Sequence, residues 1–163
     1  MFSPVRWSEA QRRADLLTTP YKSPPIPALE IAESRGINVV FAAFNKFEGD
    51  VSGFCDFRAA KLFVNNSERT ARKNFTIAHE LGHWELHRSL FLDNPDRYTV
   101  LPRFTTPDRS DPLEKEANHF AANLLVPQRL LLPVINAPTA QLAHIFGVSR
   151  EMMEWRVRNV SGR

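Results

Sequence analysis

Cysteine is nearly absent from this chain: Cys55 stands alone, so no internal disulfide can form, which fits a reducing compartment. The opening residues 1–17 hold no sustained apolar run, so neither a secretory signal nor an N-terminal anchor is expected. No later apolar stretch approaches membrane-spanning length. A membrane partner is therefore not expected, and the expected location is cytoplasmic. A dense basic footprint is missing too: 21 Lys and Arg against 18 Asp and Glu give a formal charge of +3. That permits nucleic-acid contact without demanding it. Internal repeats and low-complexity tracts are absent. What remains is an ordinary globular composition, 43% hydrophobic and 24% charged over 163 residues, enough for one good core.

Periodicity and punctuation divide the chain. An amphipathic helix is expected around residues 8–18, followed by an extended connection forced by Pro20, Pro24, Pro25 and Pro27. Pro27 opens a short helix through Ala28, Leu29, Ile31 and Ala32, which Gly36 terminates. The β-rich run 37–44, a turn at 47–50 and strands at about 51–57 and 60–65 predict a small antiparallel or mixed sheet. From Ser67 onward Pro and Gly disappear until Gly82, and Phe75, Ala78 and Leu81 recur at helical spacing. Residues 93–112, with Pro95, Pro102, Pro107 and Pro112, read as one long loop. Asp111 then caps a helix with Pro112 in its first turn and Ala117, Phe120, Ala121 and Leu124 as its buried stripe.

The chemistry concentrates in the stretch Phe75-Thr-Ile-Ala-His79-Glu80-Leu-Gly-His83. Two imidazoles four residues apart on a helix project from one face and can share a metal ion, zinc by ligand chemistry. Glu80, on the adjoining face, can act as general base on a water at that metal without being a ligand. A catalytic zinc takes a third protein ligand. Glu114 on the later helix is the favoured choice, with Asn118 four residues on accepting a hydrogen bond from a ligand imidazole; Glu116 is the fallback. His87 also competes, but three imidazoles on one continuous helix spread over about 11–12 Å and converge poorly, so a rim or packing role is expected. Cys55 on a strand is read as a buried, inert thiol.

These residues resemble the ImmA/IrrE metallopeptidases, a branch of the zincin-like fold. The similarity runs from about Pro25 to the C-terminus through Ile26-Pro-Ala-Leu, Val51-Ser-Gly, the Phe75–Trp84 core and the block Glu114–Pro127. It implies a gluzincin-like α+β endopeptidase of narrow specificity, with the sheet packed on the active-site helix and a helical C-terminal part. The implied substrate is a helix-turn-helix transcriptional repressor, here a separate polypeptide, in a stress response or a mobile element. Related zincins open their third-ligand motif as E-x-x-A-D; Asn118 stands where Asp is usual. In such folds the strand bordering the cleft pairs with substrate, which would assign Lys61, Phe63 and Asn65 to substrate binding. Tyr98, His119 and His87 are candidates to stabilise an oxyanion. Manganese or iron in place of zinc stays open.

A rival function class comes from residues 139–158. Gly147 marks a turn and Ser149 caps a second helix, the outline of a helix-turn-helix. Arg150, Arg156 and Arg158 could meet phosphates or a partner, which would make the chain a DNA-binding or repressor-binding regulator with a structural metal. Glu151 and Glu154 share that helix, so packing or docking is favoured over DNA. The expected division is a peptidase unit over 1–135, with the C-terminal helices of 136–163 packed on it.

Overall fold

The computed structural model describes residues 4–44, 51–94, 100–104 and 111–162, with 100–104 described by backbone alone. Helix α1 (Trp7–Thr18) buries Ala10 and Ala14, one turn apart, and is joined by a proline-rich extended segment to α2 (Ala28–Ser34). Gly36 follows α2 at φ +89, a conformation that favours glycine and stops the helix. Strands β1 (Asn38–Ala42), β2 (Val51–Asp56), β3 (Lys61–Asn65) and β4 (Val100–Phe104) form one mixed sheet in the order β1-β3-β2-β4. β1 runs parallel to β3, while β2 is antiparallel to both β3 and β4. The Asp56 carboxylate closes the β2–β3 turn by accepting from the backbone N–H groups of Arg58 and Ala59. The turn expected at 47–50 lies outside the described residues.

Two expectations need correction. The stretch 93–112 is not all loop, because it contains β4. Its proline content hid a strand that tolerates Pro102 because a sheet edge leaves one side of the backbone unpaired. β3, expected to border a cleft as an edge, is an interior strand hydrogen-bonded on both sides. Its main chain therefore has no side open to a substrate. The cause is non-local: β1, more than 20 residues earlier, supplies the second partner.

Helix α3 (Thr70–Asp93) carries the HExxH stretch. It starts three residues after the Ser67 signal and runs on through Gly82 to Asp93. A Cβ at Gly82 would lie 3.0 Å from Phe120 Cδ1 and 3.2 Å from Ala117 Cα, so glycine here serves a close helix crossing. The partner is α4 (Pro112–Leu125), whose N-cap Asp111 accepts from the Leu113 N–H at 2.9 Å. Ala117, Phe120, Ala121 and Leu124 are all fully buried. Phe120 alone contributes about 1.5–3 kcal/mol by burial. The sheet meets α3 as closely: a Cβ at Gly53 would lie 2.6 Å from both Phe63 O and Thr76 Cγ2. Gly53→Ala is therefore expected to lower stability by about 1–3 kcal/mol, read from the denaturant midpoint. An unchanged midpoint would show that β2 and α3 can separate at little cost.

Beyond α4 come α5 (Gln128–Leu131), a short 3-10 turn (Leu132–Val134), α6 (Thr139–Phe146) and α7 (Arg150–Ser161). Gly147 sits at φ +69 and Ser149 caps α7 through the Met152 N–H at 3.1 Å. Leu142, Phe146 and Met153 belong to the same hydrophobic cluster as Ile77, Leu81 and Leu124, so the C-terminal helices share the core.

Candidate metal centre

Because α3 and α4 cross at Gly82, two helical turns from each confront one another. His79 and His83 project from α3 toward Glu114 in the first turn of α4. His79 Nε2 is 3.0 Å from Glu114 Oε2 and His83 Nε2 is 2.9 Å from Glu114 Oε1. These three side chains offer ligand atoms that all lie within 4.8 Å of one another. Both histidines are fully buried. Burial by itself would raise the Glu114 carboxyl, but the adjoining His79 and His83 imidazoles outweigh it and hold the group well below the usual carboxylate range. Asn118, one turn further along α4, accepts from the His79 Nδ1–H at 2.8 Å.

The donor set fits a divalent metal. Two imidazole nitrogens and a carboxylate are the ligands of a catalytic zinc that keeps one position open. Tetrahedral ligation at about 2.0–2.2 Å sets ligand atoms about 3.3 Å apart, close to the spacing of Glu114 to each histidine. Glu80, 1% exposed, rises from the same helix beside His79. Cys55 is not among these ligand atoms. Burial, and then the nearby Glu80 and Asp56 carboxylates, push its thiol pKa well up, which disfavours the thiolate a metal needs.

Several expected residues fall elsewhere. Glu116, the fallback ligand, is buried and not part of the three-residue cluster, and Arg6 donates to it through Nε, Nη2 and the backbone N–H. His87 is no rim residue: it is 2% exposed, with Nδ1 2.9 Å from His83 Nδ1 and Nε2 3.1 Å from Glu116 Oε1. Burial and then His83 lower its pKa to about 4 against the pull of Glu116. The sequence reading missed Arg6 altogether, and nothing local marks it. His119 packs its ring against Trp7 of α1 at 5.1 Å, and Tyr98 lies outside the described residues.

Of the strand residues assigned to substrate, Lys61 is exposed and Phe63 stacks on Phe54 at 4.7 Å. Asn65 is buried, donating to Val51 O and accepting from Ser67. That is a structural pattern. Among the arginines, Arg150 and Arg158 are exposed, and Arg150 pairs with Glu154 on its own helix. Arg156 is 4% exposed and donates to Val126 O and Asn123 Oδ1, so its guanidinium ties α7 to the end of α4 and does not face a phosphate. Burial lowers its pKa to about 10, against the opposing charge of Asp15. None of the described helices is long and apolar enough to cross a membrane.

Comparison with known proteins agrees with this geometry. A Bacillus phage phi105 protein described as "Uncharacterized immunity region protein 2" is 30% identical over 134 residues, covering 74% of this chain and 78% of the relative. A solved structure, described as a Mycobacterium tuberculosis transcriptional regulator, superposes with a TM-score of 0.65 at 19% identity. It covers 93% of this chain, which spans about half (46%) of that longer protein, and shows a shared fold. The profile of one family matches residues 32–158, taking in the sheet, the crossed helices and all three clustered side chains. The chain belongs to the Peptidase_M78 family, the IrrE N-terminal-like domain.

Proposed function

We propose that this chain is a zinc-dependent endopeptidase of narrow specificity that cleaves a helix-turn-helix repressor carried on a separate polypeptide, in the cytoplasm, and so relieves repression in a stress response or a mobile element. The observation that carries the reading is the convergence of His79, His83 and Glu114 from two crossed helices, with Glu80 beside them. His79 and His83 would hold the ion through Nε2 and Glu114 through its carboxylate, while Asn118 orients His79 from its Nδ1 side. When bound, zinc supplies Lewis acidity that polarises a peptide carbonyl and acidifies water; manganese or iron(II) would suit the same donors. Glu80 takes a proton from the attacking water at its carboxylate and returns it to the departing amine nitrogen. The phage relative's place in an immunity region suits a regulatory target.

An extended substrate needs a sheet edge, and with β3 interior that role passes to β4, at the end of the sheet next to β2. Among the described residues β4 pairs only with β2, the strand whose Gly53 packs against Thr76 of α3. The test is incubation of the zinc-loaded protein with a repressor encoded beside it. A discrete fragment should appear with metal and vanish with chelator. With the Glu80→Gln protein holding the same repressor uncut, backbone amides of 100–104 should gain protection from hydrogen exchange while those of 61–65 do not change. An intact repressor at full zinc occupancy would sink the substrate assignment.

A second reading, a DNA-binding regulator, draws on the Gly147 turn and the Ser149 cap. It is weakened by the burial of Arg156 and by Glu151 and Glu154 on the exposed side of α7. A duplex titration across a salt series discriminates the two, since phosphate binding must weaken steeply with salt.

A further inference from the structure

His83 and His79 are supported in different ways, and the support behind His83 reaches much further. Its Nδ1 meets His87 Nδ1 at 2.9 Å; His87 Nε2 meets Glu116 Oε1 at 3.1 Å; and Glu116 is gripped by Arg6, 110 residues away in sequence. Every link but Arg6, whose side chain is half exposed, is nearly sealed from water. The direction of the protons along this row follows from its end. Glu116, ionised against Arg6, can only accept, so His87 must donate from Nε2. A neutral His87 that donates from Nε2 carries a lone pair on Nδ1, so His83 must donate from its own Nδ1. A neutral His83 then presents its Nε2 lone pair toward Glu114, 2.9 Å away. Two lone pairs so close call for a cation between them.

We propose that His87 is a positioning residue for the metal centre: backed by Glu116 and Arg6, its imidazole accepts the hydrogen bond from His83 Nδ1–H and locks His83 in the tautomer and orientation that aim Nε2 at the ion. This rests on the reading of His79, His83 and Glu114 as the metal ligands. It also assigns Arg6, at the start of the chain, a task inside the site. Arg6 keeps Glu116 ionised and fixed, and Glu116 sets the polarity of the row. Partners of this kind on ligand imidazoles typically change metal affinity by about 10–100-fold.

The test compares the full chain with His87→Leu and His87→Gln. Leucine fills the space but cannot accept a hydrogen bond. Glutamine restores an acceptor toward His83 and a donor toward Glu116. Zinc affinity, measured by competition with a chromophoric chelator, should fall about 10–100-fold in His87→Leu and recover in His87→Gln. Nitrogen-15 NMR of the imidazoles in the wild-type protein should show His83 protonated on Nδ1 and His87 on Nε2. Equal zinc affinity in all three proteins, or His83 without a proton on Nδ1, overturns the proposal. Should His87→Leu fail to fold, the wild-type tautomers decide alone. Failure of the underlying metal reading looks different: His79→Ala would then keep its zinc.

Discussion

Replacing Glu80 with Gln should reduce cleavage of the repressor by about 10²–10⁴-fold while zinc occupancy and the folded structure persist. Glutamine has the size of glutamate and keeps one acceptor, so the wall of the site between α3 and β2 stays filled. What disappears is the base. Glu80 is almost completely buried, and a side chain of the same shape leaves no cavity there, so the variant should stay folded. Zinc content by elemental analysis, fragment yield and the denaturant midpoint together separate a lost proton acceptor from a damaged fold. Partner binding should survive, making this variant the natural trap for the complex. Retained cleavage would falsify the assignment of Glu80 as base. If instead regulation in cells survived Glu80→Gln and failed when Arg150 and Arg158 were replaced, the DNA-binding reading would stand in its place.

The second large effect is on the metal. Glu114→Ala should strip zinc from the protein by more than the roughly 10–100-fold that an outer partner costs. Glu114 is the carboxylate whose two oxygens reach both imidazoles, at 3.0 Å and 2.9 Å, and alanine leaves only a two-ligand site. Glu116→Ala should cost less, because that carboxylate acts at one remove through His87. A reversed order, with Glu116→Ala the more damaging, would mean the ion sits elsewhere. Acid should have the same sense of effect as Glu114→Ala. Ligand imidazoles must be neutral, so protons compete with the ion, and occupancy should decline on acidification and recover when the pH is raised again. Equilibrium dialysis at fixed total zinc measures both.

Much of this site is legible in the sequence alone. His79, Glu80 and His83 declare themselves because a helix puts residues four apart on one face whatever it packs against. Asp111 and Pro112 announce α4 equally locally, and Glu114 and Asn118 share a face for the same reason. The Gly147 turn and the Ser149 cap are likewise properties of a few consecutive residues. Each is a rule about neighbours, and such rules survive almost any tertiary context.

Where the reading went astray, the deciding partner was distant. β3 resembles an exposed cleft strand until β1 pairs along its other side, and β4 was lost in proline-rich sequence until β2 gave it a ladder. Arg156 has the pattern of a solvent-facing arginine, yet it is swallowed against the end of α4 because α7 folds back on Asn123 and Val126. His87 and Glu116 look like packing and surface residues, and become one row only when α3 crosses α4 at Gly82 and Arg6 closes over them. The sequence by itself determined which residues share a helix face and which atoms can bind a metal, since both follow from backbone geometry and side-chain chemistry over a handful of residues. Only the tertiary structure decided which strand is an edge, which arginine meets water and what stands behind each ligand, because those depend on groups brought together from as far as 110 residues apart, whose meeting no local period records.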